Sequence, residues 1–538
     1  MFGPAGRIKG SDQHQFSRSP DLNIPRSSFN RSHGHKTTFN AGYLVPIFVD
    51  EVLPGDSFNL KMHAFARLAT PIYPLMDNLY LESFFFFVPN RLIWNNWEKF
   101  NGAQDNPGDS TSFLVPTMTS PVGGYLEGSL SDYFGIPTKV AGLVHDSLWH
   151  RAYSLIWNTW FRDENLQNSV TVDKGDGPDT PGNYVLLQRG KRHDYFTSCL
   201  PFVQKGTAVA LPLTGNAPVT GLALRAGVAT QPAASTNDLW ETNASAVTQY
   251  PAWWPTNTAQ VHMRGITPNA VSSVNNTPQV FANLGAVTAA TVNDLRQAFQ
   301  IQKLYERDAR GGTRYTEIIR AHFQVVSPDQ RLQRPEYLGG GHSNVVIHPV
   351  AQTAPTAGAN AQGDLAAFGT ASIHGHGFTK SFVEHGVIIG LICARADLNY
   401  QQGLARMFSR RTRVDFYWPE FSHLGEQAVL NKEIYADASA NDALVFGYQE
   451  RFAEYRYKPS LCTGLMRSNA TGTLNAWHLA QNFASLPALN STFIVENPPM
   501  ARVKAVTTEP DFLFDSQFQL KCARPMPVYS VPGLIDHF

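Results

Sequence analysis

The chain has 538 residues, and its 43 lysines and arginines are matched by 43 aspartates and glutamates. This balance excludes whole-surface attraction to nucleic acid and leaves only local patches. Only 16% of residues are charged, below the usual quarter or so, as in proteins that cover much of their surface with neighbours. The chain exceeds the size at which one compact core stops growing. Its 41 glycines, 35 prolines and 12% aromatic residues suit a loop-rich β scaffold with long excursions. Cys199, Cys393, Cys462 and Cys522 lie far apart with no C-x-x-C pair, which argues against a zinc ribbon and for small buried thiols. Residues 1–10 carry charges but no apolar core segment, so no secretory leader is expected. The longest apolar runs, 84–89 and 386–394, fall short of the ~20 residues that span a bilayer. A soluble protein made in a cytoplasm is expected.

Residues 1–40 read as a basic arm. Arg7, Lys9, Arg18, Arg26, Arg31 and Lys36 stand against Asp12 and Asp21. Hydrophobic periodicity is absent, so the segment is not expected to fold alone. It would reach a neighbouring subunit first and nucleic acid second. Residues 43–50 then read as a strand, 54–56 (Pro-Gly-Asp) as a turn, and 58–63 as a half-buried strand. Residues 79–88 (LYLESFFFFV) form another, apolar on both faces at its end. A short helix is predicted over 90–100 and a long one over 144–167, with Leu148, Ala152, Leu155, Ile156 and Trp160 as its stripe. The tryptophans there read as core anchors. Asp173, Asp176 and Asp179 crowd a Gly-rich loop. Their spacing is not that of an EF-hand, so a solvated turn is favoured over a calcium site. No cofactor is expected, and a structural cation has no support beyond these aspartates.

Residues 206–289 change character to Ala, Thr, Val, Asn, Gly and Pro, with few charges. Such composition suits an inserted surface domain of short strands. Trp240, Tyr250, Trp253 and Trp254 form an aromatic cluster in its middle. An amphipathic helix follows, capped by Thr291 and Asp294 and stopped by Gly311-Gly312. A second short helix carries Tyr315, Ile318, Ile319 and Phe323. Gly339, Gly340 and Gly341 read as a flexible joint, and 350–370 as a surface loop. His374 and His376 lack a third ligand nearby in sequence. Residues 384–400 read as a central strand buried on both faces. Arg406, Arg410, Arg411 and Arg413 precede Phe416, Tyr417 and Trp418, a combination found at protein interfaces and in single-stranded nucleic-acid contacts. Further strands are predicted at 444–448, 493–495, 512–514 and 518–522, and residues 525–538 as an extended tail. No G-x-S-x-G, P-loop or H-E-x-x-H occurs, and nothing orders a nucleophile, base and oxyanion donors.

Four stretches carry a resemblance. They are FNRSHGHKTTFNAGYLVPIFVDEVLPGD at 29–56, RAYSLIWNTWFRDENLQ at 151–167, LRQAFQIQKLYERDARGGTRYTE at 295–317 with RLQRPEYLGG at 331–340, and EHGVIIGLICARADLNY at 384–400. Together they resemble the major capsid protein family of the Microviridae, small icosahedral single-stranded DNA phages. The large insertion is similar to that of the gokushovirus-like branch. The resemblance implies a mainly β, viral jelly-roll β-sandwich with long inserted loops, several helices and a large protrusion insertion. Its parts would be an extended basic arm (1–40), the first part of the core with helical excursions (41–205), the protrusion (206–289), and helices, remaining strands and tail (290–538). It implies a T=1 shell around circular single-stranded DNA, with the insertion gathered at threefold axes. Implied partners are copies of itself, a small basic DNA-packaging protein, a minor pilot protein, the genome and a host receptor. No membrane insertion is expected. A carbohydrate-binding, lectin-like jelly roll with Trp253 and Trp254 as the sugar platform is the alternative.

Overall fold

The computed structural model describes residues 25–207, six short strands between 219 and 282, and residues 292–311, 315–324, 333–356 and 361–529. Arg7, Lys9, Arg18, Trp254 and residues 530–538 lie outside the described residues. The chain divides into two compact units, Met1–Val203 with Ser327–Phe538, and Gln204–Val326.

The first unit is built on ten strands: β1 (Ser27–Asn30), β2 (His33–Phe39), β3 (Val45–Val52), β4 (Ser57–Leu68), β5 (Leu79–Pro89), β6 (Glu336–Asn344), β7 (Val346–Ala351), β8 (Leu365–Ser381), β9 (Gly386–Ala396) and β10 (Phe512–Arg524). One antiparallel sheet runs β7-β8-β4-β10, with β1 and β2 both pairing along the far side of β10. The other runs β6-β5-β9-β3, also antiparallel. The first sheet keeps one wet face. In β4, Phe58, Leu60, Met62 and Ala66 are buried while Asn59, Lys61, Phe65 and Arg67 are exposed, and β10 repeats the alternation. This is the period-2 pattern of a half-buried strand.

The second sheet is covered on both sides, and that explains its continuous apolar runs. Leu81, Phe85 and Phe87 of β5, with Ile388 and Ile392 of β9, pack on the first sheet. The opposite parity (Phe86 and Val88, then Val387, Ile389 and Leu391) faces α1 (Leu148–Ile156). Phe48 joins the layers, its ring centroid 5.2 Å from Phe518 across the core and 6.2 Å from Phe85 in its own sheet.

Several expectations are corrected. The helix over 144–167 is shorter. Val144–Asp146 pairs as a strand with Thr117–Thr119. The Asp146 carboxylate then accepts the Leu148 N–H at 2.7 Å, which starts α1 after it. A π-helical turn, Trp157–Phe161, continues α1, and Arg162 is extended. Trp157 is buried, whereas Trp160 is 41% exposed and donates its indole N–H to the Pro335 carbonyl at 2.9 Å. Residues 90–100 form only two turns, Asn90–Leu92 and Trp97–Phe100, around the buried Trp94. Residues 493–495 fall at a helical turn, Ser491–Ile494, because Asn490 accepts the N–H groups of Thr492 and Phe493. The segments 512–514 and 518–522 are one strand. The loop expected over 350–370 is shorter, since 350–351 belong to β7 and 365–370 to β8, while 352–356 and 361–364 lie outside any strand.

The glycine run is not a joint. Gly339, Gly340 and Gly341 pair with β5, and each packs too closely for a side chain. A Cβ at Gly341 would lie 2.6 Å from His376 Nε2, and one at Gly339 would meet the Gly377 carbonyl oxygen. Residues 27–39 of the basic arm are edge strands, not a free arm. Their core-facing apolar side chains are only Phe29 and Phe39, too few to show a period in sequence.

The second unit holds α2 (Val292–Arg310) and α3 (Tyr315–Phe323). The Gly311 N–H donates to the Arg307 carbonyl at 2.8 Å as α2 ends. His322 Nε2 meets Asp308 Oδ1 at 2.7 Å, tying the helices together. Its short strands are antiparallel: Gln249–Trp253 lies between Asn237–Trp240 and His262–Met263, and Phe281–Ala282 pairs with Val219–Thr220. Both helices thus group with the insertion.

Candidate functional site

The arginine–aromatic segment follows β9 and is shaped by 3-10 turns. Asp415 accepts the N–H groups of Thr412 at 2.7 Å and Arg411 at 2.9 Å. These bonds pull its carboxyl down to about 2. The four arginines separate. Arg406 and Arg410 turn inward, where Arg406 Nη1 meets Glu433 Oε1 and Arg410 Nη2 meets Glu454 Oε1, both at 3.0 Å. The Arg410 guanidinium also lies 4.3 Å from the Tyr455 ring centroid. Tyr195 donates to Glu433 Oε2 at 2.8 Å. Arg411 and Arg413 stay exposed, Arg413 over the Trp418 ring at 4.3 Å. Around them Met407, Phe408, Val414, Phe416, Tyr417 and Leu424 are exposed. Large aromatic and arginine side chains grouped on a surface suit a protein contact.

The arm residues serve the sheet edge. Arg26 Nη2 donates to Ser57 Oγ at 2.7 Å, and Arg31 Nη1 meets Asp50 Oδ2 at 2.6 Å. Lys36 faces Asp515 at 3.5 Å on the wet face. Trp240 and Tyr250 are on neighbouring strands, and Trp253 opposes His262 in register.

The three loop aspartates answer protein donors instead of converging. Asp179 accepts Arg151 Nε at 2.7 Å, Arg151 Nη2 at 2.5 Å and the Tyr184 hydroxyl at 2.9 Å. Asp176 accepts Trp94 Nε1 at 2.7 Å, and Asp173 the Gly175 N–H at 2.8 Å. His374 and His376 flank a bulge and part company, bonding Ser372 Oγ and Ser83 Oγ respectively. Among the described residues no group of three His, Cys, Asp or Glu is placed to hold a metal, and no helix is long and apolar enough to cross a membrane.

Sequence reasoning missed the buried ion pairs. Glu82 meets Arg395 Nε at 2.6 Å and also Arg189, with Arg192 at 3.4 Å. Burial alone would raise its carboxyl, but Arg189 and Arg395 outweigh that and hold it below the ordinary 4.5. Burial likewise opposes, and Arg151 and Tyr184 overcome, so that Asp179 lies below 3.8. Burial and the nearby His145 take His150 from 6.5 down to about 3. Glu82 lies more than a hundred residues from each of its arginines, so only the folded chain brings that cluster together.

These shifts predict acid sensitivity. Glu82 and Asp179 contribute stability that is complete above 4.5 and 3.8 and is lost as pH falls through their depressed folded values. His150 acts in the same direction, its contribution present above 6.5 and lost as pH falls toward about 3. Glu433 and Glu496, raised by burial, act oppositely: their contribution is present below 4.5 and lost as pH rises through the raised values. The melting temperature is therefore expected to drop most steeply below 4.5. Melting scans from about pH 7 to about pH 3 check this, and a melting temperature that rises through that range contradicts it.

Comparison with known proteins adds the remaining findings. The family described as capsid protein (F protein) matches residues 17–534. The capsid protein VP1 of Bdellovibrio phage phiMH2K is 49% identical, over 98% of this chain and 99% of that protein. VP1 of Chlamydia phage 1 is 47% identical, over 97% of this chain and 98% of its own length. VP1 of Spiroplasma virus 4 is 35% identical, over 97% of each.

Proposed function

The chain belongs to the capsid protein (F protein) family of the single-stranded DNA Microviridae, and from that we propose that it closes into a T=1 icosahedral shell around a circular genome. It is a structural component of the virion and not an enzyme. The observation that carries the reading is the near full-length match to three phage capsid proteins. In this reading the two-sheet sandwich is the jelly roll of the shell wall. Closed symmetry repeats each contact, so a modest interface per copy yields a stable particle.

The unit Gln204–Val326 is the protrusion, gathered at threefold axes. Its Trp240, Tyr250, Trp253 and Trp254 pack copies together and support host attachment. Arg7, Lys9 and Arg18 of the arm, with Arg411 and Arg413, are the cations left for the genome or a neighbour. The arm, the tail and residues 327–340 of the 291–340 element are shell contacts, while its residues 291–326 belong to the protrusion. A small basic DNA-packaging protein, a pilot protein and a host receptor complete the partners. No relative named above supports the carbohydrate-binding alternative.

Replacing Gln204–Val326 by a short linker tests the protrusion. The first unit carries its own cores, so it is expected to stay soluble and to melt within about 3 °C of the full chain. Virions bearing the deletion are expected to lose surface relief and infectivity. Wholesale unfolding of the deleted chain would make the unit part of the shell wall instead.

A further inference from the structure

We propose that two oppositely charged, apolar surfaces of the first unit are the halves of one head-to-tail contact between copies of this chain. The proposal rests on the assembly reading above and adds which surfaces meet.

The first surface is the segment 404–424 with Tyr455 and Tyr457. Phe408 is 71% exposed, and Val414, Phe416, Tyr417, Leu424, Tyr455 and Tyr457 are exposed too. Phe416, Tyr417 and Tyr455 are drawn together: the Arg410 guanidinium lies 5.5 Å from the Phe416 ring centroid and 4.3 Å from that of Tyr455, and the Tyr417 and Tyr455 centroids are 6.4 Å apart. The inward turn of Arg406 and Arg410 neutralises Glu433 and Glu454. Arg411 and Arg413, with Lys458 beyond Tyr457, outnumber Asp415 and Glu420 and leave the patch net positive.

The second surface is the region 101–146. Val122 is fully exposed, and Leu114, Leu126, Val140 and Val144 are exposed. Much of the region is drawn together by its own backbone. Thr119 opposes Val144 in register, the Ser120 N–H donates to the Leu143 carbonyl at 2.9 Å, and the Lys139 N–H to the Tyr125 carbonyl at 2.9 Å. Asp105, Asp109, Glu127 and Asp132 outnumber the cations beside them: Lys99 bridges Asp105 and Asp109, Lys139 is paired with Glu127, and Asp146 is taken by the Leu148 N–H.

Charge decides how the two patches are used. In a twofold contact each patch would meet its own copy, like sign against like sign, and like-charge juxtaposition opposes binding. Each instead complements the other. A contact between different patches is heterologous, and repeated by rotation it closes a ring. The chain has no net charge, so separated basic and acidic patches that both expose large apolar side chains need a partner carrying both. A second copy is that partner.

The test is a charge exchange in cells that make all the virion components. Arg411→Glu with Arg413→Glu reverses the basic side. Asp105→Arg with Glu127→Arg reverses the acidic side. All four positions are exposed, so each variant is expected to melt like the natural chain. Each pair alone is expected to lower particle yield by at least about tenfold, and the chain carrying all four changes to recover to within about threefold. Phe408→Ser and Leu126→Ser probe the apolar halves without touching charge, and each is expected to lower yield. Variants that assemble normally, or a four-change chain no better than either pair, overturn the pairing. If the natural chain itself enters no closed particle, the assembly reading fails and takes this contact with it. Natural particles with unresponsive variants overturn the contact alone.

Discussion

Arg151→Ala is expected to destabilise the first unit by about 3–5 kcal/mol, because it strands a buried charge. The Arg151 and Asp179 side chains are 0% and 1% exposed. Arg151 also donates to the carbonyl oxygens of Ile93 at 3.1 Å and Gly175 at 2.8 Å. It thereby pins α1 to the end of the Asn90–Leu92 turn, just before Trp94, and to the aspartate-bearing loop. Without it, Asp179 keeps only neutral donors and two carbonyls lose theirs. Replacing both partners, as in Arg151→Met with Asp179→Leu, removes the uncompensated charge and should recover much of the loss. Lys36→Ala removes an exposed pair, 80% and 56% accessible, and is expected to change little. Urea unfolding of the four chains checks the order. A loss below about 1 kcal/mol for Arg151→Ala would contradict it.

Gly377→Val is the second large effect. β6 of one sheet and β8 of the other come into backbone contact at Gly339 and Gly377. A Cβ at Gly377 would run into the Leu60 carbonyl oxygen of β4. The obstacle is main chain held in a ladder, so it cannot rotate away as a side chain would. Overpacking commonly costs about 1–3 kcal/mol, and this site is expected at or above the top of that range. Gly108→Ala is the control, since nothing lies within 4 Å of its Cβ position, and no loss is expected. Denaturation midpoints of the two variants decide the matter. A Gly377→Val chain as stable as the natural one would mean that β8 does not press on the Leu60 carbonyl of β4 there.

The strands with the strongest patterns were legible in sequence for a physical reason. β4 alternates because one face is wet. Residues 84–88 of β5 and 386–394 of β9 run apolar because the first sheet covers one side and α1 the other. Where the pattern depends on a distant partner, sequence reading failed. β1 and β2 are polar edge strands that exist because β10 pairs with them, and they read as a loose arm. The run at Gly339 read as a joint because glycine permits flexibility and close approach alike, and only the neighbouring backbone distinguishes the two. The arginines at 406–413 read as one group. Their division into two inward and two outward depends on Glu433 and Glu454, which β pairing and turns bring from later in the chain. The Glu82 cluster left no local signal, since its three arginines come from two other segments.

Electron cryomicroscopy of purified virions, with the chain traced in the map, tests the central claim most directly. The account predicts a closed T=1 icosahedral shell, its wall formed by the two-sheet unit and its outer relief by Gln204–Val326. A shell of another symmetry, an open lattice, or this chain found only as a minor component within a wall made by another protein would contradict it.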